Sequence, residues 1–149
     1  MREIWKYLKH FSPNEKNHEG KSAWGDSNKV DGLLLRVAEK IRIKAGLPMV
    51  VHCAYDLSGH ASDSEHFRGG AIDFHITGMD KDYKKLYQAY QIIMQVLKEM
   101  HLEEYAGLGI YLDWSNLGFH LDLRGYRARW SRIKGNYVNI DQAISLISK

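Results

Sequence analysis

The chain has 149 residues, 44% of them hydrophobic, which suffices for one compact domain with its own core and is too little for two ordinary ones. Its net charge of +3 suits an anionic partner and ordinary surface charge equally, so charge selects no ligand class. Cys53 is the only cysteine, which excludes an intramolecular disulfide and a zinc site built on paired cysteines, and assigns any metal to histidine and carboxylate.

The start, Met1-Arg2-Glu3-Ile4-Trp5-Lys6-Tyr7, is charged and leads into no apolar stretch with a small-residue cleavage site. No apolar run reaches the roughly 18 to 20 residues that cross a bilayer. The expectation is a chain made in the cytoplasm with no Sec-type signal and no membrane span. Residues 12 to 29 are polar and rich in turn formers, and read as an irregular arm over the surface. From Val30, apolar residues recur at helical spacing through Leu33, Leu34, Val37 and Ile41; Asp26 or Ser27 can cap this helix, and Gly46 with Pro48 stops it.

Met49 to Tyr55 reads as a buried strand, Asp56 to Glu65 as a loop of small and polar residues, and Gly70 to Ile76 as a second short strand. A long helix is expected from Asp80 to about Met100, with Tyr83, Leu86, Tyr87, Tyr90, Met94 and Leu97 as its core-facing stripe. Leu108 to Leu112 and Gly118 to Leu123 read as a hairpin around the turn-prone Asp113-Trp114-Ser115-Asn116. A basic and aromatic stretch, Arg124 to Lys134, precedes a short amphipathic helix from about Asn139 to Ile147. This order lacks the regular strand-helix alternation of a doubly wound sheet. It predicts a single α+β domain over residues 1–149, with a small, mainly antiparallel sheet flanked by helices.

Three residues carry metal-ligand chemistry at suggestive positions: His66 at the end of the polar loop, Asp73 inside the second strand and His120 inside a later one. Gly69 and Gly70 permit the tight turn that would bring His66 and Asp73 to one point. Asp73 lies between Ile72 and Phe74, where a carboxylate without a cation is costly. Two imidazoles and a carboxylate suit Zn²⁺ and leave a fourth tetrahedral position open, the mark of a catalytic site.

The run Ser64-Glu65-His66-Phe67-Arg68-Gly69-Gly70-Ala71-Ile72-Asp73 resembles the pattern S-x-H-x-x-G-x-A-x-D of the zinc D,D-carboxypeptidase and L,D-peptidase family, which cleaves peptidoglycan peptides and includes some phage endolysins. Gly109-Ile110-Tyr111 followed by Gly118-Phe119-His120-Leu121-Asp122 is similar to the branch that ends in H-x-D with a basic and aromatic tail, here Arg124 to Trp130. The resemblance implies a Hedgehog/D,D-peptidase-like fold, zinc on His66, Asp73 and His120, and peptidoglycan stem peptides as substrate. Two positions depart from the pattern. Leu117 stands where many members carry an acidic general base, and Cys53-Ala54-Tyr55-Asp56 lacks the arginine that many carry after the first strand.

Amide hydrolysis also needs a proton shuttle. Asp122 shares a strand face with His120, so it is either that shuttle or a group that orients a ligand histidine; His75, sharing a face with Asp73, is next, then Asp113 and Glu65. Ser64, Arg68, Tyr111 and Arg124 are the candidate substrate-binding residues, and Arg127 and Arg129 could also grip peptide carboxylates. His10, His18, His52, His60 and His101 have no motif context and read as structural or surface residues. The expected function is zinc-dependent hydrolysis of cell-wall peptides by a monomer that reaches the wall by export, lysis or phage delivery. The alternatives are a catalytically impaired, zinc-stabilised wall-binding or phage structural module and, last, a nucleic-acid binder that stacks bases on Tyr126 and Trp130.

Overall fold

The computed structural model of the chain describes residues 3–54 and 65–149, and of Phe67 and Arg68 the backbone alone. Helices α1 (Gly32–Ala45), α2 (Tyr83–Glu99) and α3 (Ile140–Ile147) accompany strands β1 (Met49–Cys53), β2 (Ala71–Ile76), β3 (Gly107–Tyr111), β4 (Gly118–Asp122), β5 (Ala128–Ile133) and β6 (Asn136–Val138). Among the described residues these strands form one six-stranded sheet in the order β1-β2-β4-β3-β5-β6. Every pairing is antiparallel except β3 with β5. The fold is thus α+β, a mostly antiparallel sheet with helices against it.

Strand alternation divides the sheet into an apolar and a polar face. Ile72, Phe74 and Ile76 of β2, Phe119 and Leu121 of β4, and Leu108 and Ile110 of β3 are buried in one core cluster. The helices bury Leu34, Leu35, Val37, Ala38 and Ile41 of α1, Leu86, Ala89, Ile93, Val96 and Leu97 of α2, and Ile140, Ala143 and Ile147 of α3 in the same cluster. The alternate residues, Asp73 and His75 of β2, His120 and Asp122 of β4, and Gly107, Gly109 and Tyr111 of β3, therefore share the other face.

Several local expectations shift. The cap of α1 is Asp31, whose carboxylate accepts from the backbone N–H groups of Leu33 and Leu34, while Asp26 caps a separate 3₁₀ turn at Ser27–Lys29. Val30 then stands just before the cap and Leu35 at the fourth helical position, the two places of a hydrophobic staple. Gly46 ends the helix in the left-handed conformation, as its sequence position suggests. The buried stripe of α2 runs through Ala89, Ile93 and Val96 instead of the tyrosines, and Tyr83 is 43% exposed. Tyrosine is better placed at the rim, where its ring covers apolar surface and its hydroxyl reaches water.

The stretch from 12 to 29 is not merely a surface arm. Trp24 is wholly buried, with Trp5 and Phe11 edge-on to its ring at 5.1 and 5.5 Å between centroids. The basic stretch after Arg124 contains β5, whose hydrogen bonding to β3 across the sheet supplies what its weak local pattern does not.

Candidate metal centre

His66 lies on a 3₁₀ turn, Glu65–Arg68, that leads directly into β2. The turn closes through N–H bonds from Gly69 to the His66 carbonyl and from Gly70 to the Glu65 carbonyl, at 3.2 and 3.0 Å. Gly69 has φ +72°, and a Cβ there would collide with the Lys29 carbonyl, so both conformation and space demand glycine. This turn aims the buried His66 ring at the sheet's polar face, with Nε2 facing Asp73 Oδ2 at 3.2 Å.

Asp73 and His120 are register partners on adjacent strands, and His120 Nδ1 donates to Asp73 Oδ1 at 2.9 Å. One carboxylate is thus held between two imidazoles that come from separate elements. The far nitrogen of each ring is anchored as well. His66 Nδ1 donates to the Ala54 carbonyl at 2.7 Å, and His120 Nε2 donates to Asp122 Oδ2 at 2.7 Å. Arg124 closes the chain, Nη2 donating to Asp122 Oδ2 at 2.6 Å and Nε to Oδ1 at 2.9 Å. Gly107 makes room for this pair, since a Cβ there would sit 2.5 Å from Asp122 Oδ1 and 2.6 Å from Arg124 Nε.

Protonation follows from these contacts. Burial alone would push the Asp73 carboxyl up, but hydrogen bonds from His120 and His66 outweigh it and hold the group below the usual carboxylate range. Asp122 is likewise held low against burial by Arg124 and His120. Burial would lower His120, yet Asp122 and Asp73 raise it to about 9, so the ring is a cation at neutral pH when no metal is bound.

Among the described residues, Cys53, His66 and Asp73 form a group that could hold a metal ion, with one ligand-type atom of each within 4.8 Å of the others. His120 stands beside this group, joined to it through Asp73. Cys53 is a candidate that sequence reasoning missed, having dismissed it for want of a second cysteine. Sequence alternation also gives no warning that Cys53 shares a sheet face with Asp73.

A cleft of 370 Å³ opens over Asp73 and is lined also by His18, His52, Trp114, Ser115 and Asn116. His52 and His18, read as structural or surface residues, therefore border the site. His52 Nε2 and His75 Nδ1 lie 2.6 Å apart, and His75 Nε2 faces Asp80 Oδ2 at 3.8 Å. Burial, then the neighbouring His75 and His18, bring His52 down to about 4, and burial also lowers His75.

Of the remaining candidates, Tyr111 stacks on Trp114 at 4.4 Å, and its hydroxyl accepts from Trp130 Nε1 at 3.0 Å. Asp113 is tied to Arg132 and to the Gly135 N–H at 3.1 and 3.0 Å. Ser64 and the Arg68 side chain lie outside the described residues. Arg129 donates to the carbonyls of Ala106, Ala128 and Glu103, and Arg127 faces Glu103 and Glu104. Both are thus engaged within the chain. No helix among the described residues is long and apolar enough to cross a membrane. Compared with protein-family models, with curated proteins and with solved structures, the chain finds no match in any of the three.

Proposed function

We propose that this chain is a zinc-dependent hydrolase of peptide bonds in bacterial cell-wall peptides, acting as a D,D-carboxypeptidase or an L,D- or D,D-endopeptidase. The observation that carries the reading is the buried Asp73 carboxylate held between His66 and His120, each ring fixed from behind by an acceptor. That donor set fits zinc. A ligating histidine characteristically donates its other ring N–H to a carbonyl or carboxylate, which sets the tautomer and raises the basicity of the free nitrogen. Ala54 does this for His66, and Asp122 for His120.

His66, Asp73 and His120 would hold the ion, which supplies a Lewis acid to polarise a scissile carbonyl and to acidify a water. The chain's own groups do the rest. Sequence left two roles for Asp122, and its burial beneath Arg124 and His120 supports the orienting one: both carboxylate oxygens are engaged and the residue is fully buried, away from any substrate. Two imidazoles, His18 and His52, stand at the cleft wall and would move the proton; burial and the neighbouring His75 keep His52 neutral. Trp114 and Asn116 line the same cleft, where a peptide would be positioned. The protein would work as a single-domain monomer, reaching the wall by export, lysis or phage delivery.

The test is digestion of purified peptidoglycan with and without chelator, the fragments read by mass spectrometry, alongside elemental analysis of the chain and its His66→Ala and His120→Ala variants. The expected result is about one zinc per chain, lost in both variants, and chelator-sensitive release of peptide fragments. Full zinc content in both variants refutes the metal assignment. Zinc binding without hydrolysis leaves the alternative, a zinc-stabilised wall-binding or phage structural module.

A further inference from the structure

In a regular strand, residues two apart share a face, so Cys53 would be expected to point with Val51 into the helix-covered core. The register of β1 on β2 breaks between them. Val51 pairs with Phe74, but Cys53 pairs with Asp73, one extra residue having entered the β1 side. Such a bulge re-aims the side chains beside it. Here it carries Cys53 to the polar face of the sheet, opposite Asp73, while Val51 stays in the core. Cys53 Sγ, a His66 nitrogen and an Asp73 oxygen fit within 4.8 Å of one another.

We infer that, in the metal-loaded protein, Cys53 coordinates the ion as a thiolate beside His66 and Asp73 and occupies the position that a catalytic site keeps open. The inference rests on the reading that His66 and Asp73 hold a metal, and adds how that site is regulated. The chemistry favours it. Zinc is a borderline-soft ion with high affinity for thiolate, and on binding the thiol gives up its proton to solvent while the sulfur lone pair forms the bond. With His120 also coordinated, the set becomes four protein ligands, which is the composition of a closed, structural site. Hydrolysis then requires the thiolate to leave the ion. Cys53 is only half-buried, so thiol reagents can reach it when no metal holds it.

The experiment uses the full chain loaded with Co²⁺, whose thiolate bond gives a sulfur-to-cobalt charge-transfer band in the near ultraviolet. The wild-type chain is expected to show this band, and Cys53→Ser to bind cobalt, measured by elemental analysis, without it. Alkylation of Cys53 by iodoacetamide, followed by intact-mass spectrometry, is expected to be fast in the metal-free chain and strongly slowed by cobalt. This arm needs no variant, so it holds if Cys53→Ser misfolds. Cobalt bound with no charge-transfer band and with unchanged alkylation overturns the inference and leaves the metal reading standing. Failure of both wild type and Cys53→Ser to bind cobalt overturns the two together.

Discussion

Replacing Asp122 with asparagine separates an orienting group from a proton shuttle, and the contacts allow the effect to be sized. The carboxylate accepts from His120 Nε2 at 2.7 Å, from Arg124 Nη2 and Nε at 2.6 and 2.9 Å, and from the backbone N–H groups of Gly107 and Arg124 at 3.2 Å. An amide of the same shape offers one acceptor oxygen, so its NH₂ must face either His120 Nε2 with Arg124 Nη2, or Arg124 Nε with the two backbone N–H groups, all of which are donors. At least two donors lose their partner, and each one that stays buried costs about 1 to 3 kcal/mol. The lost charge adds to this, but Arg124 keeps 23% of its side chain exposed, so the sum stays below that of a fully buried broken pair, at about 2 to 4 kcal/mol. For a chain of this length that corresponds to a melting temperature lower by roughly 5 to 15 °C. Metal affinity, read by chelator competition, should fall about 10- to 100-fold, because His120 loses the acceptor that orients it. The opposite pattern refutes this reasoning: unchanged melting and metal affinity with hydrolysis down by about 10²- to 10⁴-fold would make Asp122 the shuttle.

The metal-free chain should lose stability in alkaline solution. His120 is raised to about 9 from 6.5, so its contribution is complete below about 6.5 and disappears as pH rises through about 9, a change on the order of 3 kcal/mol in the unfolding free energy measured by urea denaturation. Zinc should reverse that slope, since a histidine must shed its proton to ligate, and a flat profile in the metal-free chain would contradict the two carboxylate contacts. Gly109→Ala should cost about 1 to 3 kcal/mol by overpacking, because the new Cβ would lie 2.5 Å from Trp130 Nε1; an unchanged urea midpoint would mean that Trp130 does not cover Gly109. Trp24→Ala should cost about 3 to 5 kcal/mol and open residues 12–29 to limited proteolysis, whereas a change under 1 kcal/mol would return that stretch to the surface.

What the sequence determined by itself is local. Alternation in β2 and β4 sets Asp73 and His120 apart from Phe74 and Phe119, the helical spacing from Leu34 to Ile41 and the stop at Gly46 define α1, and the glycines after His66 announce a tight turn. Each signal lies within a few neighbouring residues, because strand and helix periods are properties of the backbone at short range. The tertiary structure decided everything that depends on register. It paired Asp73 with His120, laid β5 parallel to β3, buried Trp24 of the arm in the core, and placed Arg124 on Asp122. It also brought Cys53 to the metal-ligating face, through a bulge that no residue type in Val51-His52-Cys53 announces, and gathered His52 and His18 at the cleft. A register shift of one position reverses the face of a side chain, and the choice between registers is made by strands that are distant in sequence and meet only in the folded sheet.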